Sequence, residues 1–424
     1  MWIATGLIEM HVSIEQSCPS CGASIILSEA DRLIKCTFCD VNNYMVGSVA
    51  GRFILPATPS ENYDERDLFY APYLRFKGSV FYVQDTEVKY KIVDTTRAGT
   101  RGRIFPVSLG VRPQAMKVRS VVAGTVGAFI QQTIKTKTVF ADAVKIVDLF
   151  STKENKSVFH RAFIGETLSR IYQPYYQKNG KVFDAVDNRR IDDGRQIENL
   201  LKKTCSSKVS WEPQFISTHC PECGGLLDGE RDSLVLHCKN CESLWQEENK
   251  RFIPVPWAVV ESLTPSAVNM PVWRISFKSS AYSLNTFGDY LRFTNQPVVV
   301  RKEYDSRPLV FLIPAFKINP KLFLQVASHL AVAQPRIPEG RVRSLVNPHP
   351  VTLHPKEAMQ FLKSVLAATT LNRRKRFPLL PMMNLKATEC SLVYLPFDVQ
   401  SHDLVQQHTQ IPINRSAVKY GRSL

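Results

Sequence analysis

Eight of the ten cysteines fall into two sets with the same spacing, and this constrains folding more tightly than any other feature of the chain. The first set is Cys18-Pro-Ser-Cys21 followed by Cys36-Thr-Phe-Cys39. The second is Cys220-Pro-Glu-Cys223 followed by Cys238-Lys-Asn-Cys241. Each reads C-x2-C-x14-C-x2-C. Two residues between thiolates let a tight turn aim both sulfurs at one ion, and two such turns facing each other complete a tetrahedral S4 site. Gly22 and Gly224, after the second cysteine of each first pair, suit a turn with positive φ. The intervening residues predict a hairpin in each set, with strands at 23–27 and 32–35 in the first and at 226–227 and 234–237 in the second. Four protein ligands leave no open coordination position, so chemistry at the metal is not expected. Disulfides are the weaker reading, because CxxC pairs in a chain without a secretory signal point to metal.

The two sets resemble the zinc-ribbon superfamily. That resemblance implies one structural zinc per set, two per chain, with iron as the rival occupant because rubredoxin-type sites use the same knuckle. His219 and His237 each precede a ligand cysteine and read as surface hairpin positions, since four cysteines already fill each site. Cys205 and Cys390 stand outside any motif and read as buried, inert thiols.

The segments after the two ribbons repeat as well. Arg52-Phe-Ile-Leu-Pro56 comes after the first and Arg251-Phe-Ile-Pro254 after the second. Pro72-Tyr-Leu-Arg-Phe76 then matches Pro271-Val-Trp-Arg-Ile275. Three features in the same order indicate two copies of one unit, a period too long for a solenoid. Ribbon, Phe-Ile-x-Pro strand and Tyr-x-Pro-aromatic strand together resemble a loosely defined set of bacterial zinc-ribbon proteins with β-rich domains; this likeness carries no activity. A second pattern, a hydrophobic or aromatic pair, one residue, Pro and usually an aromatic, recurs at Phe69–Tyr73, Ile171–Tyr175, Phe311–Ala315 and Val393–Phe397. Such residues favour strands, and proline confines the strand to an edge or bulge. The aromatics read as core-facing, with a base-stacking surface as the rival.

The expected fold is therefore α+β and β-rich: a tandem duplication of a four-cysteine zinc ribbon followed by a β-rich domain with a few helices. The boundaries are ribbon 1 at 10–50, β-rich domain 1 at 51–210, ribbon 2 at 211–250 and a basic β-rich domain 2 at 251–424. Residues 81–93 and 104–122 read as strand-rich, and 175–186 as a hairpin turning at Asn179-Gly180. Helical spacing of Phe159, Phe163, Ile164, Leu168 and Ile171 predicts a helix over 158–172. Further helices are predicted at 197–203, from Asn319-Pro320 to Val332, and from His354-Pro355 to about Leu371, with an exposed connection over 335–355. A strand pair is predicted from Ser391.

The net charge of +16 is unevenly placed. Residues 89–145 carry 11 basic and 2 acidic side chains, and 251–424 carry 22 and 9, whereas 1–88 and 146–250 are near neutral or acidic. Basic blocks attract polyanions. The sharpest run is Arg373, Arg374, Lys375 and Arg376, inside a basic stretch at 336–376; Arg97, Arg101, Arg103, Arg112, Lys117 and Arg119 lie in the earlier block. No phosphate loop, dinucleotide fingerprint, HExxH or GxSxG motif occurs, and nothing nominates an active site. No apolar stretch reaches the ~18–20 residues of a membrane span, and Met1 to Met10 lacks the basic n-region of a signal. These features lead to a soluble, cytoplasmic, non-enzymatic zinc-binding protein that assembles a protein complex, with peripheral membrane association left open. The alternative is a nucleic-acid-binding protein using 89–145 and 336–376. The ribbons themselves favour the first, because neither carries a basic hairpin.

Overall fold

The computed structural model describes residues 13–46, 51–101, 104–122, 124–135, 138, 157–192, 197–202, 204, 213–337 and 344–421. The chain divides into two compact units, each assembled from separated segments. One comprises Met1–Lys77, Val93–Phe150 and Thr167–Ser217; the other Gly78–Ile92, Ser151–Glu166 and Thr218–Leu424.

The first unit opens with β1 (Ser13–Ser17), β2 (Ser24–Ser28), β3 (Leu33–Lys35), β4 (Asn42–Met45) and β5 (Gly51–Ile54). Three long strands come next or cross into it: β6 (Phe69–Gln84), β7 (Glu87–Ala98) and, after β8 (Val118–Ser120) and β9 (Ala128–Phe129), β10 (Val158–Lys178). β11 (Lys181–Asp184), β12 (Arg190–Asp192) and β13 (Phe215–Ser217) complete it. The main sheet runs β12-β11-β10-β5-β8-β1-β2, with β6 paired to β10, β7 and β9; a small sheet runs β13-β4-β3. Phe53, Tyr73, Phe105, Val118 and Tyr175 form its core, and Cys18 and Cys36 belong to the same cluster.

The second unit carries a four-stranded ribbon sheet in the order β14 (Leu227–Asp228), β15 (Val235–Cys238), β16 (Ser243–Glu248) and β17 (Arg251–Pro254). Beyond it, β18 (Trp257–Val259), β19 (Val268–Ser280), β20 (Val310–Pro314), β21 (Asn384–Gln400), β22 (Asp403–Gln406) and β23 (Pro412–Asn414) build a sheet ordered β20-β19-β21-β22-β23, with β18 parallel to β21. Helices Phe287–Thr294, Pro320–Ala333, Pro355–Gln360 and Leu362–Thr369 contribute to its core. The predicted caps form. The Asn319 side chain accepts from the Lys321 N–H at 2.9 Å, and His354 Nδ1 accepts from the Lys356 N–H at 3.1 Å. Phe81 packs edge-on against Phe361 at 4.7 Å in this core, so the hairpin end 78–92 is integral to the second unit. Among the described residues, no helix is long and apolar enough to cross a membrane.

The duplication is visible in the hydrogen bonding. β5 runs parallel to β10 and passes to a Leu55 N–H bonded to the Tyr172 carbonyl at 3.0 Å; β18 runs parallel to β21 and passes to a Val260 N–H bonded to the Tyr394 carbonyl at 2.9 Å. The meander β10-β11-β12 has its counterpart in β21-β22-β23. Four prolines occupy one structural situation. The carbonyls of Pro72, Pro174, Pro271 and Pro396 accept from the N–H groups of Gly99, Ala185, Ala315 and Gln407, at 2.7, 3.1, 3.0 and 3.2 Å. Each donor lies one residue past the end of the neighbouring strand, β7, β11, β20 or β22. A strand residue's N–H and C=O leave on the same side, so each missing proline N–H faces a place where the neighbour has already ended. These are local edges inside long strands, so the motif prolines Pro72, Pro174 and Pro396 meet the expected confinement without an outer strand, whereas the fourth, Pro314, ends β20 at the edge of its sheet. The motif aromatics are core: Tyr73, Tyr172, Tyr175, Tyr394 and Phe397 are all buried.

Several elements differ from expectation. Residues 158–172 are strand, not helix, within β10. Pairing with β6, and with β5 over 169–172, overrides the 3.6-residue spacing, and Gly165, at φ +68°, breaks the alternation that would otherwise mark a strand. Within 104–122 only β8 is a strand; Pro106 and Pro113 remove ladder donors, and Pro113 sits in the first turn of the short helix Arg112–Ala115 instead. The helix expected from Pro355 is two segments, tightened at buried Phe361, whose N–H bonds to the Ala358 carbonyl at 3.1 Å. The first ribbon does not close the predicted hairpin: β2 pairs with β1 along its whole length and β3 pairs with β4. The Asp31 carboxylate takes the Ser28 N–H at 2.9 Å and its hydroxyl at 3.0 Å, fixing the turn between them. The second ribbon does form its hairpin, because the strand before it, β13, is paired with β4 and leaves β14 to β15. Arg103, Lys203 and Cys205 lie outside the described residues.

Candidate metal centres

Each centre is made by two knuckles. At the first, Cys18 and Cys21 come after β1 while Cys36 and Cys39 come after β3; at the second, Cys220 and Cys223 face Cys238 at the end of β15 and Cys241 before β16. In three of the four knuckles the N–H of the residue after the second cysteine bonds back to the carbonyl of the first: Gly22 to Cys18, Asp40 to Cys36 and Gly224 to Cys220, each at 2.9 Å. Gly22, Asp40, Gly224 and Glu242 all have positive φ, between 55° and 78°. Glycine marks two of these turns in the sequence; Asp40 and Glu242 carry no comparable signal, although an aspartate tolerates this region better than most. Backbone N–H groups also approach the sulfurs: Ser20 to Cys18 Sγ and Phe38 to Cys36 Sγ, both 3.4 Å.

The four sulfurs of each set lie within 4.8 Å of one another. Cys18–Cys39 is 3.9 Å, Cys21–Cys36 3.7 Å, Cys220–Cys241 3.7 Å and Cys223–Cys238 3.5 Å. A zinc–sulfur bond of about 2.3 Å implies a tetrahedral edge of about 3.8 Å. A disulfide needs about 2.05 Å, and all eight thiols are free. All eight predicted ligands are thus brought together as two tetrads with metal-binding capacity.

The thiols cannot all ionise side by side. Burial opposes the Cys18 thiolate, yet the Ser20 and Cys21 N–H groups outweigh it and hold that thiol down to about 7. At Cys21 the Ala23 N–H favours the thiolate, but desolvation and the thiols of Cys39, Cys18 and Cys36 push it up to about 12. The second centre repeats the split. Cys220 is held at about 6 against burial by the Cys223 N–H and the Ser243 hydroxyl, while Cys241 rises to about 12 because desolvation and its three partner thiols outweigh Ser243. A divalent cation at the centroid stabilises all four thiolates at once.

The centres differ in what surrounds the sulfurs. Ser243 Oγ stands 2.9 Å from Cys241 Sγ and 3.6 Å from Cys220 Sγ, and accepts from Trp245 Nε1 at 2.7 Å. With its acceptor site occupied by Trp245, the hydroxyl proton is directed at a sulfur. Asn240 further favours the Cys223 thiolate. The first centre has Val41 and Phe38 at these two positions, Phe38 with 73% of its surface exposed. Hydrogen bonds to ligands typically alter metal affinity 10–100-fold. A chromophoric chelator is therefore expected to strip the first centre well before the second, and Ser243→Ala to narrow the interval; equal release from both centres would contradict this.

His237 does not join the sulfurs. Its Nε2 is 2.9 Å from Glu242 Oε2, so it braces the second ribbon across the knuckle. Cys390, half-buried, is pushed up to about 11 by burial and then by Glu389, which keeps it a thiol. The basic run forms the short helix Arg373–Arg376. Arg373 bonds to the carbonyls of Thr370 and Thr86, Arg376 stacks on Phe293 at 4.7 Å, and Arg374 and Lys375 are exposed. In the earlier block, Arg112 is committed to Asp184 at 2.5 Å and Asp187 at 2.8 Å, and Arg119 lies 3.6 Å from Glu15. No family model matches the chain, and neither a curated protein nor a solved structure does; its two four-cysteine clusters fit zinc-ribbon-like sites.

Proposed function

We propose that both centres hold zinc as a structural ion and that the chain is a non-enzymatic interaction protein, working in a reducing compartment such as the cytoplasm and assembling a protein complex. One observation carries this reading: each tetrad brings four cysteine sulfurs within 4.8 Å of one another, with two edges of each at 3.5–3.9 Å, enough to fill a tetrahedral site. No position is left to activate water, so the ion's role is to hold the polypeptide in shape. The exposed Phe38 and Val41 at the Cys36–Cys39 knuckle are the kind of apolar side chains that a protein partner covers. Elemental analysis of protein purified without added metal tests the occupancy: two zinc per chain are expected, with loss of folded signal on chelation. Iron in place of zinc, seen as visible thiolate-to-metal absorption, would overturn the structural-zinc reading. A purified, fully zinc-loaded chain that stays strictly alone when its cellular complexes are cross-linked and sized would overturn the assembly reading.

A further inference from the structure

The second unit contains an open groove of about 600 Å³ between the hairpin end of β6 and β7 and the helices Pro320–Ala333 and Leu362–Thr369. Its lining combines aromatic rings with cations: Tyr82, Lys89, Tyr90, His329 and Arg373. Tyr90 lies beside the buried ring of Phe81, 6.0 Å between centroids, and keeps 40% of its surface exposed. Its ring is braced on one side and available on another.

Arg373 is preorganised. Its Nε donates to the Thr370 carbonyl at 3.3 Å and Nη1 to the Thr86 carbonyl at 3.1 Å, which fixes the planar fork without neutralising it. The rest of the fork is available to an anion, and a guanidinium held in one geometry loses little entropy when it engages a phosphate. Arg374 and Lys375, the next two residues along the chain, are exposed cations. Among the described lining residues the one acid, Glu87, is 3.0 Å from Lys89.

Rings for planar faces beside a fixed guanidinium and an outward run of cations match the alternation of base and phosphate along an unpaired strand. A duplex hides its base faces and would engage the cations alone. We propose that this groove binds a single-stranded nucleic-acid segment, with bases stacked on Tyr90 and Tyr82 and phosphates on Arg373, Arg374 and Lys375. The inference goes beyond the interaction-protein reading and does not depend on it.

Zinc-loaded full-length protein, titrated with labelled single-stranded RNA and DNA oligonucleotides, a duplex of the same sequence and heparin, provides the test by fluorescence anisotropy across salt. Single strands are expected to bind more tightly than the duplex at about 150 mM salt. Tyr90→Ala, at a half-exposed position, is expected to weaken strand binding about tenfold while leaving the residual duplex binding unchanged. Arg374→Glu with Lys375→Glu is expected to lower the slope of log affinity against log salt by roughly two. Retained metal content and circular dichroism identify the variants that remain folded. Equal affinity for single strand, duplex and heparin, or wild-type strand affinity in folded Tyr90→Ala, would overturn the proposal, as would no binding at all.

Discussion

Cys36→Ser is expected to leave one bound metal per chain in place of two and to unfold the first ribbon together with the β core beside it. Cys36 is fully buried and belongs to the same apolar cluster as Phe53, Tyr73 and Tyr175, so the centre is part of the core. Structural zinc sites supply on the order of 10–16 kcal/mol in free peptides, whereas a whole domain is stable by about 5–15 kcal/mol. Losing the ion therefore removes a free energy comparable to the whole stability of the unit. Cys238→Ser is expected to do the same to the second unit, where Cys238 is equally buried. Metal analysis with a thermal melt reads both effects. A Cys36→Ser protein that kept two metals and its Tm would remove Cys36 from the ligand set. Cys390→Ser, outside both tetrads, serves as the control and is expected to keep both metals.

The second large effect is expected at Arg75. Its side chain is 1% exposed, inside the first unit, with Glu29 on one side and Asp94 on the other, the latter through Nε at 2.9 Å and Nη2 at 2.7 Å. Glu29 lies in the turn of the first ribbon and Arg75 on β6, so this pair ties the metal-bearing segment to the long strand. Arg75→Ala leaves Glu29, itself 11% exposed at the side chain, beside an empty space with no cation. Breaking a buried ion pair by removing one member costs about 3–5 kcal/mol. The expected result is a destabilisation of that size in urea. Replacing the set together, Arg75→Met with Glu29→Gln and Asp94→Asn, is expected to recover much of it. A loss below about 1 kcal/mol for Arg75→Ala would show that the cluster is solvated, since exposed pairs contribute no more than that.

The metal centres were legible in the sequence because their information is local: ligand type and spacing are fixed by the geometry of one knuckle. The caps at Asn319 and His354 were legible for the same reason. What failed depended on partners distant in the chain. Residues 158–172 carry helical spacing, and only the pairing of β10 with β6 and β5 decides otherwise. The first ribbon's hairpin was lost to competition, since β1 displaces β3 from the edge of β2. The groove joins residues near 82–90 with others near 325–373, and no short window of sequence contains both. Of the basic run, the sequence marked Arg373, Arg374, Lys375 and Arg376 alike; the structure separates two engaged guanidiniums from two exposed cations.

The composition of the second unit has a consequence for how the chain acquires its fold. Its apolar cluster includes Phe81, Val83, Ala162 and Ile164, which leave the ribosome long before Phe323 and Phe361 exist. That arrangement has high contact order and delays closure of the core until most of the chain has been synthesised. Until then an aromatic hairpin end waits without cover, a state that chaperones recognise and that crowded vessels punish with aggregation. A fragment starting at Thr218, although it holds a complete second ribbon, lacks those side chains and is expected to be poorly soluble when produced alone. Supplying the segments 78–92 and 151–166 in trans, as peptides, would then restore the missing part of the unit and act as folding partners.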